Sequence, residues 1–147
     1  MSVSTLAHMW DGNLQTGTKS NIERIDPSNG ELLTLVPDGT VEDANNAIAS
    51  ARKAFDDGPW RNLSGIERAK YINLLADLLD KNIDKFAPIE ARETGKTLTL
   101  ARADVTNSAN LFRYAASLAM TMHGDVHTNL GKGFTGLVTR VPVGVAA

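Results

Sequence analysis

Apolar residues recur at helical spacing in three long stretches of the chain, and the richest lies between Trp60 and Lys96. Ser64-Gly65-Ile66-Glu67 opens that stretch with a capping-box pattern, in which a hydroxyl and a later carboxylate satisfy free backbone N–H groups. Behind it Ile66, Ala69, Ile72, Leu75, Ala76 and Leu79 mark one predicted buried stripe, widened by Leu74 and Leu78. Asn82-Ile83-Asp84 predicts a break and restart, with Asn82 closing one helix and Asp84 capping the next. Pro88 then falls in a first turn, where its missing N–H removes little. Gly95 marks the stop. Upstream, Thr40-Val41-Glu42-Asp43 is a second capping box, ahead of Val41, Ala44, Ile48, Ala51 and Phe55 on one face. Gly58-Pro59 ends that helix, with the glycine expected in a left-handed cap. Downstream, a helix from about Leu98 to Met122 turns Ala101, Val105, Ala109, Phe112, Ala116 and Ala119 inward, with Gly124 as its cap.

Both ends of the chain change period. Asp11-Gly12 is a hairpin signal beside Met9-Trp10. Ile22 to Ile25 alternates, Asp26-Pro27-Ser28-Asn29-Gly30 is a turn, and Leu32 to Val36 returns as a strand, so a β-meander is expected. Near the other end, Leu137 to Val141 reads as a strand that Pro142 demotes to an edge or bend. Val143-Gly144-Val145-Ala146-Ala147 is an apolar run of the kind covered on both faces of a sheet. The expected fold is α/β: strands and turns over 1–40, three to four amphipathic helices over 41–124, and strands over 125–147. The sequence ends where that last strand would need its neighbours, so the domain is expected to be incomplete.

Composition narrows the function classes. A length of 147 residues suits one domain, and a formal charge of −2 gives no electrostatic footprint for nucleic acid or an anionic membrane. No apolar run approaches the roughly 18 residues of a membrane span. The first residues lack a charged region followed by an apolar one, so no signal peptide is expected. The chain has no cysteine, which excludes disulfides, thiolate metal sites and a cysteine nucleophile within it, and makes the cytoplasm the expected compartment.

Three constellations suggest chemistry. Gly131-Lys132-Gly133-Phe134-Thr135-Gly136 matches G-x-G-x-x-G, but a dinucleotide site needs a strand before it and a helix after it. A helix and loop are expected before and a strand after, so the segment reads as a flexible turn. His123 and His127 are four apart, yet Gly124 is expected to end the helix between them, which leaves no shared face for a metal. Asp56, Asp57, Asp77, Asp80, Asp84, Glu90 and Glu93 fall at helix ends or on exposed faces, where solvated charge is the ordinary state.

The ordered motifs say more. Asp26-Pro27-Ser28-Asn29-Gly30-Glu31 is similar to an N-P-x-x-G-E turn, and Trp60, Leu63-Ser64 and Glu67-Arg68 to W-x-x-L-S-x-x-E-R. Leu75-Ala76-Asp77-Leu78-Leu79 follows, then Glu93-Thr94-Gly95-Lys96 as E-T-G-K. Phe112-Arg113-Tyr114-Ala115 is similar to R-Y-Y-A and Arg140-Val141-Pro142-Val143-Gly144-Val145 to R-E-P-x-G-V, with Ala115 and Val141 departing from the pattern. From about Ile22 onward the chain thus resembles the N-terminal part of an aldehyde dehydrogenase subunit. The resemblance implies the outer part of a Rossmann-like cofactor domain and an NAD(P)-dependent oxidation of aldehydes to carboxylic acids. It also implies a cysteine nucleophile, a general-base glutamate, an oxyanion asparagine in a P-W-N-F segment and a cofactor-binding lysine. None has a matching position here, so no catalytic, cofactor-binding or metal residue is assigned. In some members a structural monovalent cation sits at positions matching Arg24, Ile25 and Glu93. NAD or NADP would serve the complete enzyme, with none expected for this chain alone. The implied partners are the remainder of the subunit, further subunits of a homo-oligomer and an aldehyde substrate. The alternative is a free-standing helical interaction module without activity.

Overall fold

The structure is a computed structural model that describes residues 4–15 and 20–146. Its N-terminal strands are β1 (Ser4–Thr5), β2 (His8–Trp10), β3 (Asn13–Gln15), β4 (Asn21–Ile25) and β5 (Leu32–Pro37). Asp11 and Gly12 join β2 to β3 with φ of 52° and 72°, the two positive values that a tight primed turn requires. β4 and β5 form a second antiparallel hairpin around Asp26–Gly30, and β1 adds to the free edge of β5 in parallel. The expected run of hairpins is therefore present, but in two sheets, ordered β1-β5-β4 and β2-β3.

Four helices follow: α1 (Val41–Asp57), α2 (Gly65–Lys81), α3 (Ile83–Thr94) and α4 (Leu98–Thr121), with a 3-10 turn over Pro59–Asn62. Both capping boxes form. The Asp43 N–H donates to Thr40 Oγ1 at 3.1 Å while Thr40 N–H donates to the Asp43 carboxylate at 2.8 Å, and Ser64 and Glu67 repeat the exchange. Asn82 alone separates α2 from α3, and its side-chain amide donates to the Leu78 carbonyl. Asp84 therefore lies inside α3 instead of capping it, and Pro88 falls in the second turn, which still carries on to Thr94. Gly95 has the left-handed conformation expected of it, with φ 75°.

Two other glycines expected to cap helices do not take the left-handed conformation, and Gly124 does not cap α4 at all. Gly58 is extended, with φ −72°, and Gly124 lies beyond Met122, the extended residue that closes α4. A β-carbon at Gly58 would lie 2.1 Å from the Ala54 carbonyl oxygen, and one at Gly124 would lie 1.9 Å from that of Val138. Close backbone approach, not positive φ, selects glycine there.

The helical layer has an unusual core. Its buried apolar residues are Ala69, Ala76, Ala87, Ala101, Ala109, Ala116 and Val105, with Leu79, Ile83 and Ala91 half-covered beside Ala87, Ala101 and Val105. Small side chains let helix backbones come close. Where α2 begins, a β-carbon on Gly65 would stand 2.2 Å from the Ala119 carbonyl oxygen of α4. Ion pairs then tie the layer together: Arg113 of α4 reaches Asp77 and Asp80 of α2 at 2.8 and 2.7 Å, and Arg102 reaches Asp84 of α3. Lys96, between α3 and α4, bridges Glu90 and Asp104 at 2.7 and 2.6 Å.

The α1 stripe does not behave as its periodicity suggested. No residue of α1 is buried, and Val41 is 79% exposed. The helix instead turns Ser50 toward the β2–β3 hairpin, where the Asp11 N–H donates to Ser50 Oγ at 3.0 Å. At the other end, β6 (Asp125–His127) and β7 (Gly136–Val138) form a short antiparallel pair. Thr139 to Ala146 has no ladder partner among the described residues, and Val143 is fully exposed; Ala147 lies outside the described residues. A strand of the buried type acquires its backbone partners only from neighbouring strands.

Candidate functional site

Two turns, 66 residues apart in sequence, meet at the best-defined polar cluster. The first is the β4–β5 turn. Asp26 is only 3% exposed; its carboxylate accepts from the Ser28 N–H at 2.9 Å and the Ser28 hydroxyl at 2.5 Å. Its carbonyl accepts from the Gly30 N–H at 2.8 Å, which closes the turn. The second is the end of α3. Arg92 donates to the other Asp26 oxygen at 3.4 Å, and Glu93 meets the Arg24 guanidinium at 3.5 Å. Gly95 sits against Pro27, where a β-carbon would come within 2.9 Å of the proline Cγ.

The Ser28 hydroxyl, then the Ser28 N–H, hold the Asp26 carboxyl below its usual range, against the opposing effect of burial, with Arg92 adding to the lowering. An ionised carboxylate whose oxygens are engaged this way is a poor proton acceptor. The cluster is a latch between the first sheet and the helical layer.

The remaining candidates are distributed around the surface. Asp56 pairs with Arg52 at 2.6 Å, Asp77 and Asp80 with Arg113, Asp84 with Arg102, Glu90 with Lys96 and Glu93 with Arg24. Asp57 and Lys53 line an open cleft of about 620 Å³ between the β2–β3 turn and the end of α1. Asp77, Asp80 and Asp84 tie one helix to another, Asp56 pairs within α1 and Glu93 joins α3 to β4, so these acids converge on no common cleft. His123 and His127 both lie beyond α4, with His123 Nδ1 2.7 Å from the Thr121 carbonyl oxygen and His127 in β6. His8 stacks on Trp10 in β2 at 6.1 Å. Among the described residues, no three acidic or histidine side chains are arranged to hold a metal ion. Gly131 to Gly136 links β6 to β7, so a short strand does precede the motif, but the segment runs into a strand and no helix N-terminus faces it. Arg92 had no periodic or spacing signal tying it to Asp26; only its place one turn before the Gly95 stop set it apart.

The family model described as the aldehyde dehydrogenase family matches residues 14–147. The chain belongs to the aldehyde dehydrogenase family. It is 38% identical over 133 residues to aldehyde dehydrogenase family 2 member C4 of Arabidopsis thaliana, covering 90% of this chain and 26% of that protein. It is also 38% identical over 136 residues to betaine aldehyde dehydrogenase of Bacillus subtilis, covering 92% and 28%. Among solved structures, the NAD-dependent aldehyde dehydrogenase from Sinorhizobium meliloti superposes with a TM-score of 0.85 at 35% identity, over 94% of this chain and 28% of that one. The chain thus spans about a quarter of the length of the aldehyde dehydrogenases it matches. The latch falls on two of the motifs that carried the resemblance, the Asp26–Glu31 turn and Glu93-Thr94-Gly95-Lys96.

Proposed function

We propose that the chain is the N-terminal scaffold segment of an NAD(P)-dependent enzyme that oxidises aldehydes to carboxylic acids, and that it does not turn over substrate alone. One observation carries this reading: six motifs occur in family order on a fold that superposes on about a quarter of an aldehyde dehydrogenase chain, while the sequence holds no cysteine. The thiolate that would attack the aldehyde and the base that would release the acid are then supplied by residues outside these 147. Segment 1–40 would anchor the sheet side, 41–124 would form a helical layer, and 125–147 would lead into strands shared with the rest of a homo-oligomeric, cytoplasmic enzyme. No catalytic, cofactor-binding or metal residue is assigned to the chain itself. The latch between Asp26 and Arg92 would keep the first sheet seated on the helical layer.

A fusion tests the proposal. This chain replaces the matched quarter of the Bacillus subtilis betaine aldehyde dehydrogenase, and NADH formation from betaine aldehyde is followed for the fusion, the chain alone and the relative lacking that quarter. The fusion is expected to be active and the other two silent. Aldehyde oxidation by the isolated chain would overturn the reading, as would an inactive fusion or full activity in the truncated relative.

A further inference from the structure

A groove of about 320 Å³ lies between α2, α3 and α4, within the size range of small-molecule sites. Its apolar lining is Leu79, Phe86, Ile89 and Val105. Val105 is buried and Leu79 half-buried, while Phe86 and Ile89 are 40% and 52% exposed. The polar lining is Glu90 of α3 with Asp104 and Ser108 of α4. Phe86 and Glu90 lie one turn apart on α3, as Asp104 and Ser108 do on α4, so each pair shares a helix face. The groove is therefore apolar along its wall and acidic along its rim.

The two rim carboxylates share one cation. Lys96 Nζ donates to Glu90 Oε1 at 2.7 Å and to Asp104 Oδ2 at 2.6 Å. Those bonds, to Asp104 first and Glu90 second, raise the Lys96 pKa, so the ammonium stays charged at neutral pH. Glu90 Oε2 and Asp104 Oδ1 have no protein partner among the described residues. Two negative charges against one positive leave the rim with a negative charge in excess. A free carboxylate oxygen beside an apolar wall fits one kind of ligand best.

We propose that this groove binds a small organic cation, a primary ammonium group carried on an aromatic body. The ammonium donates to a free carboxylate oxygen of the rim, and the ring lies against Phe86, Ile89 and Val105. A neutral ligand of the same shape gains only the apolar contact and an ordinary hydrogen bond. An anionic one adds a further negative charge to a rim that already has too many. The proposal stands on the groove and its charges, and it holds or fails independently of the scaffold reading.

The test titrates 3-phenylpropylammonium chloride into the isotope-labelled 147-residue chain and follows the amide resonances of Val105 and Ser108. A saturable shift is expected, with a Kd on the order of millimolar for a ligand of about ten heavy atoms. The isosteric alcohol, 3-phenylpropan-1-ol, should bind about fivefold more weakly, because it lacks the charge-assisted hydrogen bond. The anion 3-phenylpropanoate should give no saturable shift. Glu90→Gln with Asp104→Asn should bring the ammonium and the alcohol to within about twofold of each other. Phe86→Ala should weaken both by a similar factor, about fivefold, through lost apolar contact. Circular dichroism matching the parent validates each variant; where it does not match, the three ligands on the parent chain decide alone. The proposal is overturned if the ammonium gives no saturable shift, or if its shifts spread evenly over the chain. Binding of the alcohol or the anion as tightly as the cation overturns it equally.

Discussion

Gly65→Ala sets two physical effects against each other at the first residue of α2. Helix propensity favours the change, because alanine is about 1 kcal/mol better than glycine in a helix interior and somewhat less than that at the first position. Packing opposes it. The new β-carbon would stand 2.2 Å from the Ala119 carbonyl oxygen, 3.1 Å from its carbonyl carbon and 3.4 Å from Met120 Cα. These are backbone atoms, so no side chain can rotate aside, and α2 must move from α4 by about 1 Å to restore an ordinary contact. Overpacking of this kind costs about 1–3 kcal/mol, so the net expectation is a loss of about 1–2 kcal/mol. Urea unfolding followed by far-ultraviolet circular dichroism measures it as a lower midpoint at unchanged slope. Gly39→Ala is the control, since its β-carbon would meet only the His8 ring at 3.6 Å. A Gly65→Ala protein as stable as the parent would show that α2 and α4 are not held together at backbone contact.

Other substitutions test the local chemistry. Gly95→Ala should destabilise by about 1–2 kcal/mol through its left-handed φ alone, and further through Pro27 at 2.9 Å, read again from the urea midpoint. Thr40→Ala removes the first capping box and should cost about 1 kcal/mol, with Thr40→Ser restoring most of it. Asp26, Asp43 and Glu67 all have lowered pKa values, with the Ser28 hydroxyl, the Thr40 hydroxyl and the Ser64 backbone N–H as their respective main causes. Depressed folded-state values mean that the unfolded chain takes up protons first on acidification, so their stabilisation is complete above about pH 4 and is lost as pH falls through the folded values. Asp26→Asn should therefore lower the unfolding midpoint at neutral pH and flatten its decline in acid, as thermal unfolding across pH would record. Limited trypsin digestion should cut first after Lys132, which lies in an exposed loop between two positive-φ glycines, as mass analysis of the fragments would show.

How much of this was legible depended on the range of the interaction concerned. Both capping boxes were readable because Thr40 with Asp43 and Ser64 with Glu67 act across three residues. Most of the inner face of α4 was readable too: Ala101, Val105, Ala109 and Ala116 are buried, whereas Ala119 is half-buried and Phe112, expected inside, is 37% exposed. Asp26 was read as part of a turn, but its capture by Arg92 spans 66 residues and has no periodic trace. Glycine misled in a specific way. It signals either a positive φ, as at Gly95, or a close backbone approach, as at Gly58 and Gly124, and the letter alone does not distinguish them.

The α2 stripe carries the deeper point. Read along the sequence, Leu74 and Leu78 widened one buried face; in the fold they belong to a different one. Ala69 and Ala76 are buried against α4, while Leu74 and Leu78 are 55% and 46% exposed on the far side. Periodicity counts apolar residues by angle, and a stripe much wider than about 100° is the mark of a helix with two partners. Alanine decides which partner is near: where backbones approach closely only a methyl fits, so the small residues mark the contact already made. The leucines lie on the side left exposed. The breadth of the Trp60–Lys96 pattern therefore covered two faces at once, one already packed within the chain and one open to solvent.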